Sequence, residues 1–199
     1  RLSRVYARYA DRQGPEFARA LLASRGIKLR LFPSDLDRIP RSGGVVFAAN
    51  HPLGAMDGLA LLYTIAAVRP DVRLVGNALL ERIEPLKPYL IGVVPFEGAH
   101  RNPVASGRGL LEAKQWVEEG GALVIFPAGE VSSWSPWRWG VHDRPWPRAS
   151  QRFLREVKAP VMPVDVRASL SWYFYVLGLL GSWVRTILLP SEAVRPRWF

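Results

Sequence analysis

Apolar runs at residues 45–49, 72–75, 91–96, 122–126 and 161–166 are mostly β-branched and too short for helices. They alternate with stretches of helical period at 58–68, 104–119 and 149–157. Short apolar runs without polar alternation suit strands buried on both faces. Strands alternating with helices predict an α/β fold, a largely parallel central sheet flanked by helices. Gly120-Gly121 supplies the stop for the second helix. Upstream, residues 2–24 predict two short amphipathic helices or one kinked at Gly14-Pro15, residues 27–32 alternate as a half-buried strand would, and residues 33–44 read as a polar loop. With 199 residues, 49 % hydrophobic and 22 % charged, the chain suits a single domain, 1–199, around one core. Opening on Arg1 and closing on Trp198-Phe199, it reads as a fragment lacking terminal segments.

In a largely parallel sheet, ligands sit in the crevice beyond the carboxyl ends of the strands. Two polar strings leave apolar runs at that end: Asn50-His51-Pro52-Leu53-Gly54-Ala55-Met56-Asp57-Gly58, and Phe126-Pro127-Ala128-Gly129-Glu130 with Ser132 and Ser133. A third segment, 97–102, brings Glu97, His100 and Arg101 toward the same rim. An unperturbed imidazole titrates near 6.5, so His51 can serve as a base, with Asp57 fixing its tautomer. Six positions separate the two, which does not put them on one helix face, so a turn at Pro52 and Gly54 must bring them together. The spacing equally allows separate turn and capping residues. The second string equally allows a plain strand-to-helix turn capped by Ser132.

The chain has 27 Lys and Arg against 17 Asp and Glu, a formal net charge of +10, which favours polyanionic partners. Trp134, Trp137, Trp139 and Trp146 interleave with Arg138, Arg144 and Arg148, a composition suited to a membrane interface or to an aromatic loop covering the core. Near an anionic bilayer each basic side chain adds about 1 kcal/mol, enough in sum for peripheral attachment. Residues 168–184 lack charge but reach only about 26 Å at the helical rise, which favours a buried or interfacial helix over a span. Cysteine is absent, which excludes disulfides and thiolate metal sites. His51, His100 and His142 lack metal-ligand spacing, so no metal is expected. No G-x-S-x-G string marks a serine hydrolase, and Gly107-Arg108-Gly109 lacks the third glycine of a dinucleotide fingerprint.

Asn50-His51-Pro52 with Asp57, Phe126-Pro127-Ala128-Gly129-Glu130, and Ala159-Pro160-Val161-Met162-Pro163-Val164, in that order, resemble the glycerolipid and lysophospholipid acyltransferase superfamily over about residues 27–190. The similarity is closest to its bacterial hemolysin-like branch, which includes acyltransferases that complete ornithine lipids. The resemblance implies His51 as general base and Asp57 as its partner. Substrate contacts are then expected from Asn50, Arg101, Pro127, Gly129, Glu130 and Ser132, the glycine loop holding the acceptor's polar head or a donor phosphate, with a later proline-bearing strand lining the site. The superfamily pattern usually has four residues between histidine and aspartate where this chain has five, as the hemolysin-like branch does. Ala128 replaces the usual glutamate, Glu130 the threonine and Val131 the arginine of the glycine loop, and Gly98 stands where an arginine is common, leaving Arg101 as a shifted candidate. Without those arginines, a zwitterionic or aminoacyl lipid acceptor fits better than lysophosphatidate.

The expected activity is therefore transfer of a fatty acyl group from an acyl thioester, carried by acyl carrier protein or coenzyme A, to a lysolipid hydroxyl. The expected setting is the cytoplasmic face of the inner membrane, peripherally, with membrane lipids as partners, no nucleic acid, and no cofactor beyond the thioester. The competing expectation is a non-catalytic lipid-binding protein on the same fold.

Overall fold

The computed structural model describes residues 8–9, 11–93, 103–135 and 139–168. Five parallel strands form the sheet: β1 (Val45–Ala49), β2 (Arg73–Asn77), β3 (Leu90–Val93), β4 (Ala122–Ile125) and a last strand, Val161–Val164. A two-stranded antiparallel hairpin, β5 (Ser133–Ser135) with β6 (Gly140–His142), intervenes, so the last strand is β7. Sheet order is β3-β2-β4-β1-β7, with Val45 opposite Ala122 and Val46 opposite Val161.

Helices α1 (Gly14–Ser24), α2 (Pro33–Asp37), α3 (Ala55–Ala66), α4 (Pro103–Glu118) and α5 (Arg148–Glu156) accompany the strands. Successive strand residues point to opposite faces, so β1 divides its side chains between two cores. Val45, Phe47 and Ala49 join Leu59, Leu62 and Ile65 of α3 and Phe17 and Leu22 of α1 in one cluster. Val46 joins Ala113 and Val117 of α4 and Phe153 of α5 in the other. The sheet is thus sandwiched between α1 with α3 and α4 with α5, and β4, between β2 and β1, is buried throughout. Pro163 lies on β7, an edge strand among the described residues, where its missing N–H costs least.

Sheet order creates the crevice. From β1 the chain passes beyond β4 to β2 by way of α3 on one face, whereas from β4 it passes beyond β1 to β7 by way of α5 on the other, so the loops leaving these adjacent strands run in opposite directions to opposite faces of the sheet. Such a reversal is where open α/β sheets bind ligands. At the opposite end, buried Arg69 commits every guanidinium N–H: two to Asp71 at 2.8 and 2.7 Å, and three to the carbonyls of Pro40, Gly43 and Gly120 at 3.0, 2.9 and 2.8 Å. Asp71 also accepts the Ala122 N–H at 3.2 Å, so this cluster ties the starts of β1, β2 and β4 together.

Two local expectations are corrected. Residues 27–32 carry no strand: burial alternates through Arg30, but no described strand pairs with them, and Leu31 and Phe32 lie exposed. Within the expected loop 33–44, residues Pro33–Asp37 turn helical behind a first-position proline, which fixes a helical φ. The expected helix at 168–184 lies outside the described residues apart from Ala168, as do residues 1–7 and 10 of the N-terminal stretch and residues 94–96 of the third apolar run.

Candidate active site

His51 follows β1 directly, and the chain then turns through Gly54 at φ 67° and ψ −132° into α3. L-residues avoid that conformation, so glycine is what allows the reversal here. The turn delivers Asp57 to the first turn of α3, where a carboxylate is favoured by the helix dipole. His51 Nδ1 lies 3.2 Å from Asp57 Oδ2, with Asp57 fully buried and the imidazole 17 % exposed. Oδ2 also accepts the Leu53 N–H at 2.7 Å, and the imidazole approaches it at ion-pair distance but off the line of a full hydrogen bond. Oδ1 of Asp57 has no hydrogen-bond partner among the described residues.

Burial pushes the Asp57 carboxyl above its ordinary pKa, against the opposing pull of His51 and of the Leu53 and Gly54 N–H groups. When Asp57 is ionised, its carboxylate beside Nδ1 favours the tautomer with the proton on that nitrogen, which leaves Nε2, turned away from Asp57, as the nitrogen able to accept another. Phe126, at the end of β4, stacks on the imidazole with ring centroids 4.0 Å apart and planes inclined by 30°. The ring of His51 is thus held between an aromatic face and a carboxylate.

The two loops meet through the backbone. Ser132 donates its N–H to the His51 carbonyl at 2.9 Å. Its hydroxyl hydrogen-bonds Asp143 Oδ1, which also accepts the His51 N–H at 3.2 Å. Ser132 is buried and caps no helix, because β4 leads into the β5–β6 hairpin rather than into a helix. Gly129, at φ 71°, has no described atom within 4 Å of where a Cβ would stand, which leaves open space beside the loop. Its neighbour Ala128 is buried, and Glu130 pairs with Arg144 at 3.5 Å.

Asn50 spans a different seam: its amide donates to the Val166 carbonyl at 3.0 Å and accepts the Val166 N–H at 2.6 Å, joining the end of β1 to the chain after β7. Pro127 opens the turn closed by the Gly129 N–H on the Phe126 carbonyl at 2.9 Å. Arg101, with Glu97 and His100, lies outside the described residues. Sequence reasoning passed over Asp143 and the ring support from Phe126. Asp143 carries one signal in retrospect, as the lone carboxylate in residues 131–155, a stretch holding Arg138, Arg144, Arg148, Arg152 and Arg155.

The aromatic stretch divides. Trp139 sits at the hairpin in the left-handed region, φ 43°, and is 87 % exposed, while Trp146 is 43 % exposed, so these two do not cover the core. Trp137 and Arg138 lie outside the described residues. No helix among the described residues is long and apolar enough to cross a membrane.

The chain is 27 % identical over 174 residues to a lyso-glycine lipid O-acyltransferase of Phocaeicola vulgatus, an alignment covering 84 % of this chain and 57 % of that protein. It is 25 % identical over 172 residues to a lyso-glycine lipid O-acyltransferase of Bacteroides thetaiotaomicron, covering 84 % of this chain and 58 % of that one. The chain thus spans 57–58 % of the length of these curated relatives. The sequence profile of the acyltransferase family matches residues 4–188, a range that takes in the whole sheet and both loops of the His51 site. By that match, the chain belongs to the acyltransferase family.

Proposed function

We propose that this protein transfers a fatty acyl group from an acyl thioester to the hydroxyl of a lysolipid, with His51 as the general base. The observation that carries this reading is the pairing of His51 Nδ1 with the fully buried Asp57 at the crevice end of the sheet. In the step we envisage, Nε2 takes the hydroxyl proton as the acceptor oxygen bonds to the thioester carbonyl carbon. Collapse of the tetrahedral intermediate breaks the carbon–sulfur bond, and the imidazolium returns the proton to the leaving thiolate. The products are an ester and the free thiol of acyl carrier protein or coenzyme A. The chain needs no cofactor of its own for this.

The relatives' names, the departures from the usual glycine loop and the pairing of Glu130 with Arg144 all favour an aminoacyl or zwitterionic lysolipid as acceptor, of which lyso-ornithine and lyso-glycine lipids are examples. Burying a dozen methylenes is worth on the order of 10 kcal/mol, so both acyl substrates come from a membrane or a carrier rather than from water. The exposed Trp139 and Trp146, with exposed Arg144 and Arg148 and a net charge of +10, suit peripheral docking on an anionic bilayer, which in a bacterium points to the cytoplasmic face of the inner membrane. The same charge suits acidic acyl carrier protein as donor.

Incubating the purified protein with isotope-labelled acyl-CoA or acyl-carrier protein and a panel of lysolipids, with products read by mass spectrometry, tests the reading. An acylated aminoacyl lysolipid is expected. Binding of these lipids without turnover of either thioester would favour the lipid-binding alternative.

A further inference from the structure

His51 is held at its backbone as well as at its ring. Its N–H donates to Asp143 Oδ1 at 3.2 Å, its carbonyl accepts the Ser132 N–H at 2.9 Å, and the Ser132 hydroxyl hydrogen-bonds the same Asp143 oxygen. These contacts close a ring of three residues drawn from three places: the loop after β1, the loop after β4 and the chain leaving the β5–β6 hairpin. Ser132 is 2 % exposed and Asp143 half-buried, so solvent competes weakly for these bonds.

We propose that Asp143 is a positioning residue for the base, its carboxylate fixing the His51 backbone so that the imidazole meets Asp57 on one edge and Phe126 on its face. Neither His51–Asp57 nor Glu130–Arg144 accounts for Asp143. The direction of the His51 Cα–Cβ bond follows from the two peptide planes that flank it. One of those planes is held through the N–H by Asp143 and the other through the carbonyl by Ser132. The same oxygen also orders Ser132, so removing the carboxylate loosens both grips at once. The imidazole would remain beside Asp57 but sample orientations in which Nδ1 no longer faces Oδ2. Misplacement by about 1 Å can cost about 100-fold in rate.

The proposal rests on His51 being the base, and its test separates the two. The chain has three histidines, His51, His100 and His142, so imidazole nitrogen spectra of labelled protein are tractable, and the His51 signals are those that vanish in His51→Ala. In the wild type His51 should carry its proton on Nδ1. Asp143→Ala should show mixed tautomers at His51 and a kcat lower by about 10- to 100-fold, with KM for the acyl donor unchanged. Asp143→Asn keeps an oxygen able to accept from both His51 and Ser132, and should recover the wild-type tautomer and most of kcat. Should Asp143→Ala fail to fold, Ser132→Ala removes one member of the ring and should shift the tautomer the same way by less. A wild-type tautomer and wild-type kcat in folded Asp143→Ala overturn the proposal. If the wild type transfers no acyl group at all, the acyltransferase reading falls, while the nitrogen spectra still decide whether Asp143 orients His51.

Discussion

At the scale of single residues, Asp57 does two jobs that a substitution separates. In the proposed reading its carboxylate orients His51, and its burial makes the ionised form costly, since the folded-state pKa lies above the ordinary value. Asn at this position can still accept the Leu53 N–H but would donate to Nδ1, placing the imidazole proton on Nε2, where it blocks the base. Asp57→Asn should therefore lower kcat by about 100- to 10,000-fold. The stability effect has the opposite sign. A carboxyl with a raised folded pKa binds more protons folded than unfolded, so the wild type loses stability as pH climbs from the ordinary carboxylate range through the folded pKa. Denaturant melts across that range should show Asp57→Asn gaining on the wild type as pH rises. With an imidazole as base, activity should survive chelator treatment. Abolition by EDTA that magnesium then reverses would contradict that expectation. The sequence placed His51 and Asp57 in one loop but left their meeting open, because a six-residue spacing has no fixed geometry until Gly54 adopts its positive φ. Asp143 was illegible for a simpler reason: it is 92 positions from the backbone it holds.

At the scale of elements, periodicity located the strands and helices to within a few residues. Strands buried on both faces must be continuously apolar, and β1 and β4 are. It failed at residues 27–32, where alternation was real but a strand also needs a partner, and none of the described strands lies beside it. It also missed the β5–β6 hairpin, whose strands of three residues each are shorter than any apolar pattern can mark. That hairpin presents Trp139 to solvent from a left-handed backbone, one residue before β6. If it docks on lipid, Trp139→Ala should weaken binding to anionic vesicles several-fold in flotation assays. Because the side chain is 87 % exposed, stability should change by no more than about 0.5 kcal/mol. Unchanged flotation would move the membrane contact elsewhere.

At the scale of the whole molecule, the sheet separates two ends with different tasks. One end carries the loops of β1 and β4, and the other the Arg69 cluster that sets the strand starts. Strand order was not legible in the sequence, because insertion of β4 between β2 and β1 depends on which faces the helices cover and not on the order in which strands are made. Arg69→Ala strands three backbone carbonyls and the Asp71 carboxylate, and should cost about 3 kcal/mol or more in denaturant melts. The Arg69 guanidinium holds the Asp71 carboxyl below its ordinary pKa. That contribution is present above the unfolded carboxylate value and is lost as pH falls through the folded one, so the gap between wild type and Arg69→Ala should narrow in acid. In the proposed reading the charge of +10 draws this scaffold to a lipid surface, and the reaction turns on one imidazole.

The most direct test is a single-turnover measurement of acyl transfer by His51→Ala, with folding verified by circular dichroism and with acceptor and thioester saturating. The proposed mechanism predicts a rate lower than wild type by about 100- to 10,000-fold, with lipid binding retained. Acyl transfer at the wild-type rate by the folded variant would contradict it.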